Sequence, residues 1–187
     1  LSYSADLLRG GCTIRQRECY YANATFFRNQ RQCNRAIADL CVLFGESRHA
    51  LGFEASPRGF WTGRLRTRLR GDANWNDPCA GAAQEVAAVV ITSRWMVPDM
   101  EVESDALFIL VVEKECTFHR LRKARFFDLL KCIIITGQGF PPLAVRAMVH
   151  SLHHVLRLPV LGLTDCNPFG LALFLTYRPG SANPPAG

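Results

Sequence analysis

Two groups of residues in this sequence have the types and spacing to do chemistry. The first is the pair Tyr20-Tyr21, preceded by Arg15 and Arg17 within RQRECYYANATFF. A phenol beside guanidinium groups can act as a nucleophile, because a cation stabilises the phenolate and neutralises a phosphate brought to it. The competing reading is that these tyrosines are half-buried packing residues of a helix with wet hydroxyls, and spacing alone does not separate the two. The second group is Glu113, Asp165 and Asn167, each placed just beyond an apolar run. Asp165 and Asn167 are two apart, so in an extended segment both side chains point to one side. An all-oxygen set completed by water suits Mg²⁺ rather than zinc. Against it stands the reading that acids at strand ends are simply solvated, or that Asp165 caps the next helix.

Other chemistry is excluded or weak. Gly137-Gln-Gly139 is too short for a phosphate-binding fingerprint, and no Walker motif occurs. His153 and His154 are adjacent, so on a helix their side chains diverge by about 100° and do not form a metal pair.

The elements that must position these residues follow from hydrophobic rhythm. Polarity is helical from Thr13 to Phe44, with Ile37, Leu40, Cys41 and Phe44 at helix spacing. Leu51–Ala55 and Phe60–Leu65, joined by Ser56-Pro-Arg-Gly59, read as a hairpin on turn chemistry. Helices followed by a basic hairpin carrying Arg58, Arg64, Arg66, Arg68 and Arg70 have the layout of a winged helix-turn-helix, whose arginines would meet DNA; the alternative is a solvated basic face. Gly71–Ala83 is the best linker candidate, giving a first domain over 1–71, a linker and lead-in strand over 72–104, and a second domain over 105–187. In that second domain the apolar runs Ala106–Val112, Cys132–Thr136 and Pro159–Leu163 alternate with helical stretches, the second from Pro142 to about Arg157. Unalternated apolar strands separated by helices mean a parallel sheet covered on both faces. Functional groups then gather beyond the carboxyl ends of the strands, where Glu113, Asp165 and Asn167 lie if the first and third strands are neighbours.

Composition fits this plan. The chain has 187 residues, 49% of them apolar and 20% charged, and no apolar run approaches the roughly 18 residues of a membrane span. Disorder, a coiled coil and a membrane-spanning protein are excluded. Residues 1–71 hold 12 Lys/Arg against 5 Asp/Glu, while residues 72–187 hold 10 against 11. The basic excess therefore suggests that the first domain meets a polyanion. Eight cysteines without a C-x-x-C pair, several of them inside apolar stretches (Cys41, Cys132), read as reduced, buried thiols in the cytosol or nucleus. The tail 181–187 reads as disordered, and a start on Leu1 rather than Met reads as a partial sequence.

Five segments in order, RECYYANATFFRNQ, FGESRHALGFEASPRGFWTG, ALFILVVEKECTFHRL, IIITGQGFPPLAVR and PVLGLTDCNPFGLALFLTYRPGS, closely resemble the A subunit of type IIB topoisomerases (topoisomerase VI) and its eukaryotic meiotic relatives that make DNA double-strand breaks. The resemblance covers about residues 13–181, and the YY, EK and NPFG segments favour the meiotic branch. It implies an α+β winged-helix domain followed by an α/β Toprim domain with a parallel sheet, incomplete at its C-terminus. The family's nucleophile falls on Tyr21, its assisting arginine on Arg17, its Toprim glutamate on Glu113, and its D-x-D pair on Asp165 and Asn167. The second acid of that pair is here an amide, and the lysine of the family's TGKGYP loop is here Gln138.

What the resemblance implies for function is Mg²⁺-dependent transesterification, with Mn²⁺ as a substitute cation, giving a 5′-phosphotyrosyl link to double-stranded DNA. Cutting both strands would need a second copy of the chain, and a topoisomerase VI B-like subunit is a further expected partner; the nucleus is the expected compartment. Two rivals from other classes remain: a non-catalytic DNA-binding scaffold, which Asn167 favours, and a Toprim nuclease or primase, which would not need Tyr21.

Overall fold

The computed structural model describes residues 2–54, 57–79, 86–96 and 99–178. The chain divides into two compact units, residues 1–56 and 57–185. The expected boundary at residue 71 thus differs from the division seen in the contacts.

The first unit contains α1 (Ser2–Arg9), β1 (Ile14–Arg15), α2 (Gln16–Ala22), α3 (Gln30–Phe44) and β2 (Phe53–Glu54). The helical polarity of Thr13–Phe44 resolves into two helices because Asn29 breaks the run and caps the second, its side chain accepting the Gln32 N–H at 2.9 Å. Gly45 ends α3 in the left-handed region, at φ 66°. Cys33 and Ile37 of α3 are buried against Cys19 of α2 and Leu51 and Phe53, with Tyr20, Leu40 and Cys41 packed around them. Phe44, expected on the same apolar face, is exposed.

The expected hairpin does not form. Phe53–Glu54 pairs in parallel with Ile14–Arg15, whereas Phe60–Gly63 (β3) enters the sheet of the second unit; residues 55 and 56 lie outside the described residues. The physical reason is Trp61, which is 1% exposed in that sheet and would stand in water on a solvent-facing wing. Gly63, at φ 102°, lies where an added Cβ would sit 2.5 Å from the Cys132 carbonyl oxygen, so the strand closes on its neighbour only with glycine there.

The second unit is built on a five-stranded mixed sheet. Its strands are β3, β5 (Val89–Val90), β7 (Phe108–Val112), β8 (Cys132–Thr136) and β9 (Val160–Leu163), in the spatial order β5-β3-β8-β7-β9. The three apolar runs are the parallel part, β8-β7-β9. As expected, β7 and β8 are covered on both faces. In contrast, β9 is paired on one side only and is largely exposed, with Leu161 and Leu163 open to solvent among the described residues. On the other side, β3 joins antiparallel to β8 and β5. Alternate residues of β8 serve opposite faces. Ile133 and Ile135 meet Val145, Met148, Val149 and Leu152 of α6 (Leu143–Leu156), while Cys132 and Ile134 meet Phe118 of α4 (Glu115–Lys123) and Phe127 of α5 (Phe126–Leu130). The last helix described is α7 (Pro168–Leu175).

A separate antiparallel ribbon pairs β4 (Arg66–Leu69) with β6 (Met100–Glu103). The start of the expected linker is structured: Asn76 exchanges backbone hydrogen bonds with Thr67 at 2.8 and 3.0 Å. Its end, residues 80–83, and the tail 181–187 lie outside the described residues.

Candidate active site

The two units carry two distinct candidate centres. In the first, Arg17 and Tyr21 are one turn apart on α2 and therefore on one face of it. Tyr20 packs into the apolar cluster of the unit, whereas Tyr21 is 61% exposed. Their rings are 5.5 Å apart and tilted by 50°, so Tyr20 supports the ring of Tyr21 from the packed side. Both tyrosines and Arg17 line a cleft of about 390 Å³, completed by Gln16, Gln30 and Asn34. Gln30 and Asn34 of α3 are not identifiable from the sequence. Their signal is an i,i+4 pair on the helix that follows the tyrosine helix, and it means nothing until the packing of α2 on α3 is known.

The second centre lies at the carboxyl edge of the parallel strands. Pairing of β7 with β9 brings Val112 opposite Leu163, so Glu113 and Asp165 emerge side by side. Glu113 Oε2 accepts the Asp165 backbone N–H at 2.8 Å, which fixes the direction of that carboxylate. Lys114 Nζ contacts Asp165 Oδ1 at 2.8 Å, and this hydrogen bond holds the lysine pKa above its usual value. Asn167 is the N-cap of α7: its Oδ1 accepts the Gly170 N–H at 2.8 Å. The helix cap that the competing reading gives to Asp165 is supplied by Asn167. Gly170 is required for this turn, since a Cβ there would stand 2.2 Å from the Asp165 carbonyl oxygen.

Glu113, Asp165 and Asn167 offer only oxygen donors at one edge, the donor chemistry of a hard cation bound through one or two carboxylates and water. Among the described residues no cluster of three or more His, Cys, Asp or Glu is arranged to hold a metal; Glu113 and Asp165 are joined at this edge by the hydrogen bond from the Asp165 N–H. Next to them Glu115 accepts Gln138 Nε2 at 2.8 Å, a bond that lowers the Glu115 pKa. Gln138 Oε1 in turn accepts the Gly59 N–H at 3.1 Å. Gln138 therefore ties the loop to the sheet and to α4 and adds no charge to the centre.

The arginines expected to meet DNA are engaged elsewhere. Arg64 forms a two-point hydrogen bond with Asp105, which lowers the Asp105 pKa, and approaches Asp128 at 3.6 Å. Arg66 reaches Glu103 at 3.3 Å and Asp77 at 3.7 Å, and Arg68 reaches Glu101 at 2.7 Å. Both lie over the Trp75 ring, at 5.2 and 4.6 Å from its centroid. Arg58 hydrogen-bonds the Gln138 carbonyl oxygen. Arg64, Arg66 and Arg68 are thus paired with carboxylates within the second unit, along and beside the β4–β6 ribbon, whereas Arg58 meets only a neutral carbonyl. By contrast, Arg31 and Arg35 of α3 and Arg17 of α2 are exposed, and none of them forms an ion pair among the described residues.

Comparison with known proteins matches both units to described families. Residues 108–185 match the family described as the Toprim domain of Spo11 and the topoisomerase 6 A subunit, and residues 1–53 match type IIB DNA topoisomerase. The chain is 36% identical over 177 residues to meiotic recombination protein SPO11-1 of Arabidopsis thaliana, covering 94% of this chain and 47% of that protein. It is 33% identical over 187 residues to the A3 subunit of DNA topoisomerase 6 of Oryza sativa subsp. indica, covering 98% of this chain and 40% of that protein. Meiotic recombination protein SPO11-2 of Arabidopsis thaliana is 34% identical over 174 residues, with 90% of this chain and 44% of that protein covered. The chain thus spans less than half the length of these relatives. With one match on the tyrosine-bearing unit and the other on the sheet that carries Glu113 and Asp165, the chain belongs to the family of type IIB DNA topoisomerases that unites Spo11 with the topoisomerase 6 A subunit.

Proposed function

We propose that this protein breaks double-stranded DNA by tyrosine transesterification. The observation that carries the reading is the exposed Tyr21 one helical turn from Arg17, which has no ion pair among the described residues, in a shared cleft. The Tyr21 oxygen attacks a backbone phosphorus, its bond to phosphorus forms as the bond to the 3′ oxygen breaks, and the released 3′ oxygen takes up the proton. The product is a 5′-phosphotyrosyl link, and religation is the reverse of the same step. Arg17 offsets charge on the phosphate as it becomes five-coordinate. Glu113 and Asp165, with Asn167 at the margin, would hold Mg²⁺ or Mn²⁺, which when bound supplies charge neutralisation at a phosphate. The Asp165 N–H holds the Glu113 carboxylate toward that position.

The helices of the first unit correspond, in this reading, to the helical part of a winged-helix domain. The DNA backbone runs along Arg17, Arg31 and Arg35 rather than along the ribbon arginines. Cutting both strands requires a second copy of the chain, and a B-like subunit is a further partner. The setting is meiotic recombination in the nucleus, which the relatives named as meiotic recombination proteins support. A second reading, the A subunit of a type IIB topoisomerase, is supported by the rice relative and uses the same chemistry. Incubating the protein with labelled duplex DNA and Mg²⁺, then separating under denaturing conditions, tests the reaction: a protein-linked 5′ end is expected, whereas free cut ends or intact DNA would overturn it.

A further inference from the structure

The cleft beside Tyr21 has a hydrogen-bond polarity that specifies its ligand. Gln30 Nε2 donates to Asn34 Oδ1 at 2.8 Å and to the Gln16 backbone oxygen at 3.2 Å. Both amide hydrogens of Gln30 are thereby used inside the wall of the cleft. Because Asn34 presents its oxygen to Gln30, the end of its carboxamide turned away from Gln30 is the NH₂. Gln16 Nε2 is shielded from solvent and has no hydrogen-bond partner among the described residues, a costly state for a donor unless a ligand supplies an acceptor. The remaining lining groups are the Arg17 guanidinium and the two tyrosine rings, and no carboxylate is among them. The cleft therefore offers one full positive charge and neutral donors, with no anion to repel a ligand rich in acceptor oxygens.

We propose that Asn34 and Gln16 form, with Arg17, a subsite for the nonbridging oxygens of the phosphodiester presented to Tyr21, and that Gln30 is the positioning residue that holds Asn34 with its donor end free. This rests on the DNA-cleaving reading above and adds to it the residues that grip the phosphate. Neutral carboxamides suit the task because a phosphodiester carries a single charge. One cation balances it, and amide donors add direction without binding the anion so tightly that the link cannot reverse.

Two measurements on the full chain test the subsite. The first is the Kd for a labelled duplex by fluorescence anisotropy, in a Tyr21→Phe background so that no covalent step contributes. The second is the rate of adduct formation with Tyr21 present. Asn34→Asp keeps the size and reverses the polarity facing the ligand; about tenfold weaker binding and a slower adduct rate are expected. Gln30→Met removes both donations, frees Asn34 to turn over, and should lower the adduct rate several-fold, whereas Gln30→Lys, which retains donors at that position, should restore part of it. If either variant melts at a lower temperature, Asn34→Ser serves as the second probe, since it keeps a donor and should bind more tightly than Asn34→Asp. Equal Kd and equal adduct rate for Asn34→Asp, or equal rates for Gln30→Met and Gln30→Lys, would overturn the subsite. Failure of the underlying reading looks different: the natural chain binds DNA without any adduct, and the subsite then stands or falls on the Kd comparison alone.

Discussion

Lys114 Nζ lies 2.8 Å from Asp165 Oδ1, so the carboxylate best placed to receive a cation is already paired with one from its own chain. Lys114 directly follows Glu113 and is the N-cap residue of α4, which places its side chain over the same strand edge. A divalent ion reaching Asp165 must compete with this ammonium, and the edge offers it a net charge nearer −1 than −2. Lys114→Met removes the competitor and leaves both carboxylates in place. Mg²⁺ affinity measured by titration calorimetry should rise several-fold in the variant. Equal affinities would show that the ion pair opens at no cost.

Tyr21 rather than Tyr20 is the proposed nucleophile because of its exposure. Tyr20 is packed in the apolar cluster while Tyr21 is 61% exposed. Tyr21→Phe removes one oxygen and no packing, so DNA binding and melting temperature should be unchanged while the covalent adduct disappears on a denaturing gel. Tyr20→Phe should keep the adduct. An adduct lost from Tyr20→Phe and kept in Tyr21→Phe would exchange the two roles.

Asn167 holds two expectations apart. As the cap of α7 it contributes about 1 kcal/mol, which Asn167→Ala should forfeit in thermal or urea unfolding. Asn167→Asp caps equally well and adds a negative charge at the strand edge. It should therefore leave stability unchanged and tighten Mg²⁺ binding, which calorimetry reads directly. Unaltered Mg²⁺ affinity in Asn167→Asp would remove this position from the ligand set and leave Glu113 and Asp165 alone.

The parallel strands are legible in the sequence because buried strands have their own composition: CIIIT and ALFILVV admit no solvent face, and they pair as expected. Their order, β7 between β8 and β9, then makes Glu113 and Asp165 neighbours, which the sequence allows as one of several outcomes. The place of the Phe60–Gly63 strand is not legible, because local turn chemistry at Pro57 and Gly59 describes a reversal equally well for a hairpin and for a crossing between units. Only the burial of Trp61 against α6 and β8 decides it, and that is a long-range fact. The same limit explains the arginines. Charge summed along residues 1–71 cannot register that Glu101, Glu103 and Asp105 arrive opposite Arg68, Arg66 and Arg64 through the pairing of β4 with β6.

That pairing distinguishes the ribbon arginines from Arg31 and Arg35, along which the DNA backbone runs in the proposed reading. Replacing Arg64, Arg66 and Arg68 together by Ala takes an arginine from five carboxylates, Asp77, Glu101, Glu103, Asp105 and Asp128, and both cations from the Trp75 face. The melting temperature should fall by several degrees while the salt dependence of DNA binding stays the same. Replacing Arg31 and Arg35 by Ala should do the opposite: no loss of stability, and a slope of log K against log salt shallower by about two. Anisotropy titrations at several salt concentrations distinguish the cases. A shallower slope in the triple variant would return the DNA contact to the ribbon.

The Arg64–Asp105 pair also sets an acid limit. Hydrogen bonding to Arg64 holds the Asp105 carboxyl below its ordinary value, whereas in the unfolded chain it titrates near the usual value of about 3.9. The folded state therefore binds fewer protons than the unfolded state in that window, so the pair's contribution is present above about pH 4 and is lost as pH falls through the lower native value. Both side chains are partly exposed, which keeps the contribution to about 1 kcal/mol or less. Urea unfolding of Asp105→Asn should show a loss of that size at pH 7 and convergence with the natural chain as pH falls below about 4. Arg64→Met should show the same loss at neutral pH, because the remaining carboxylate then titrates alike in both states. Parallel acid limbs for the natural chain and Asp105→Asn would mean that the pair, though two-point in geometry, is offset by the cost of holding two mobile side chains together.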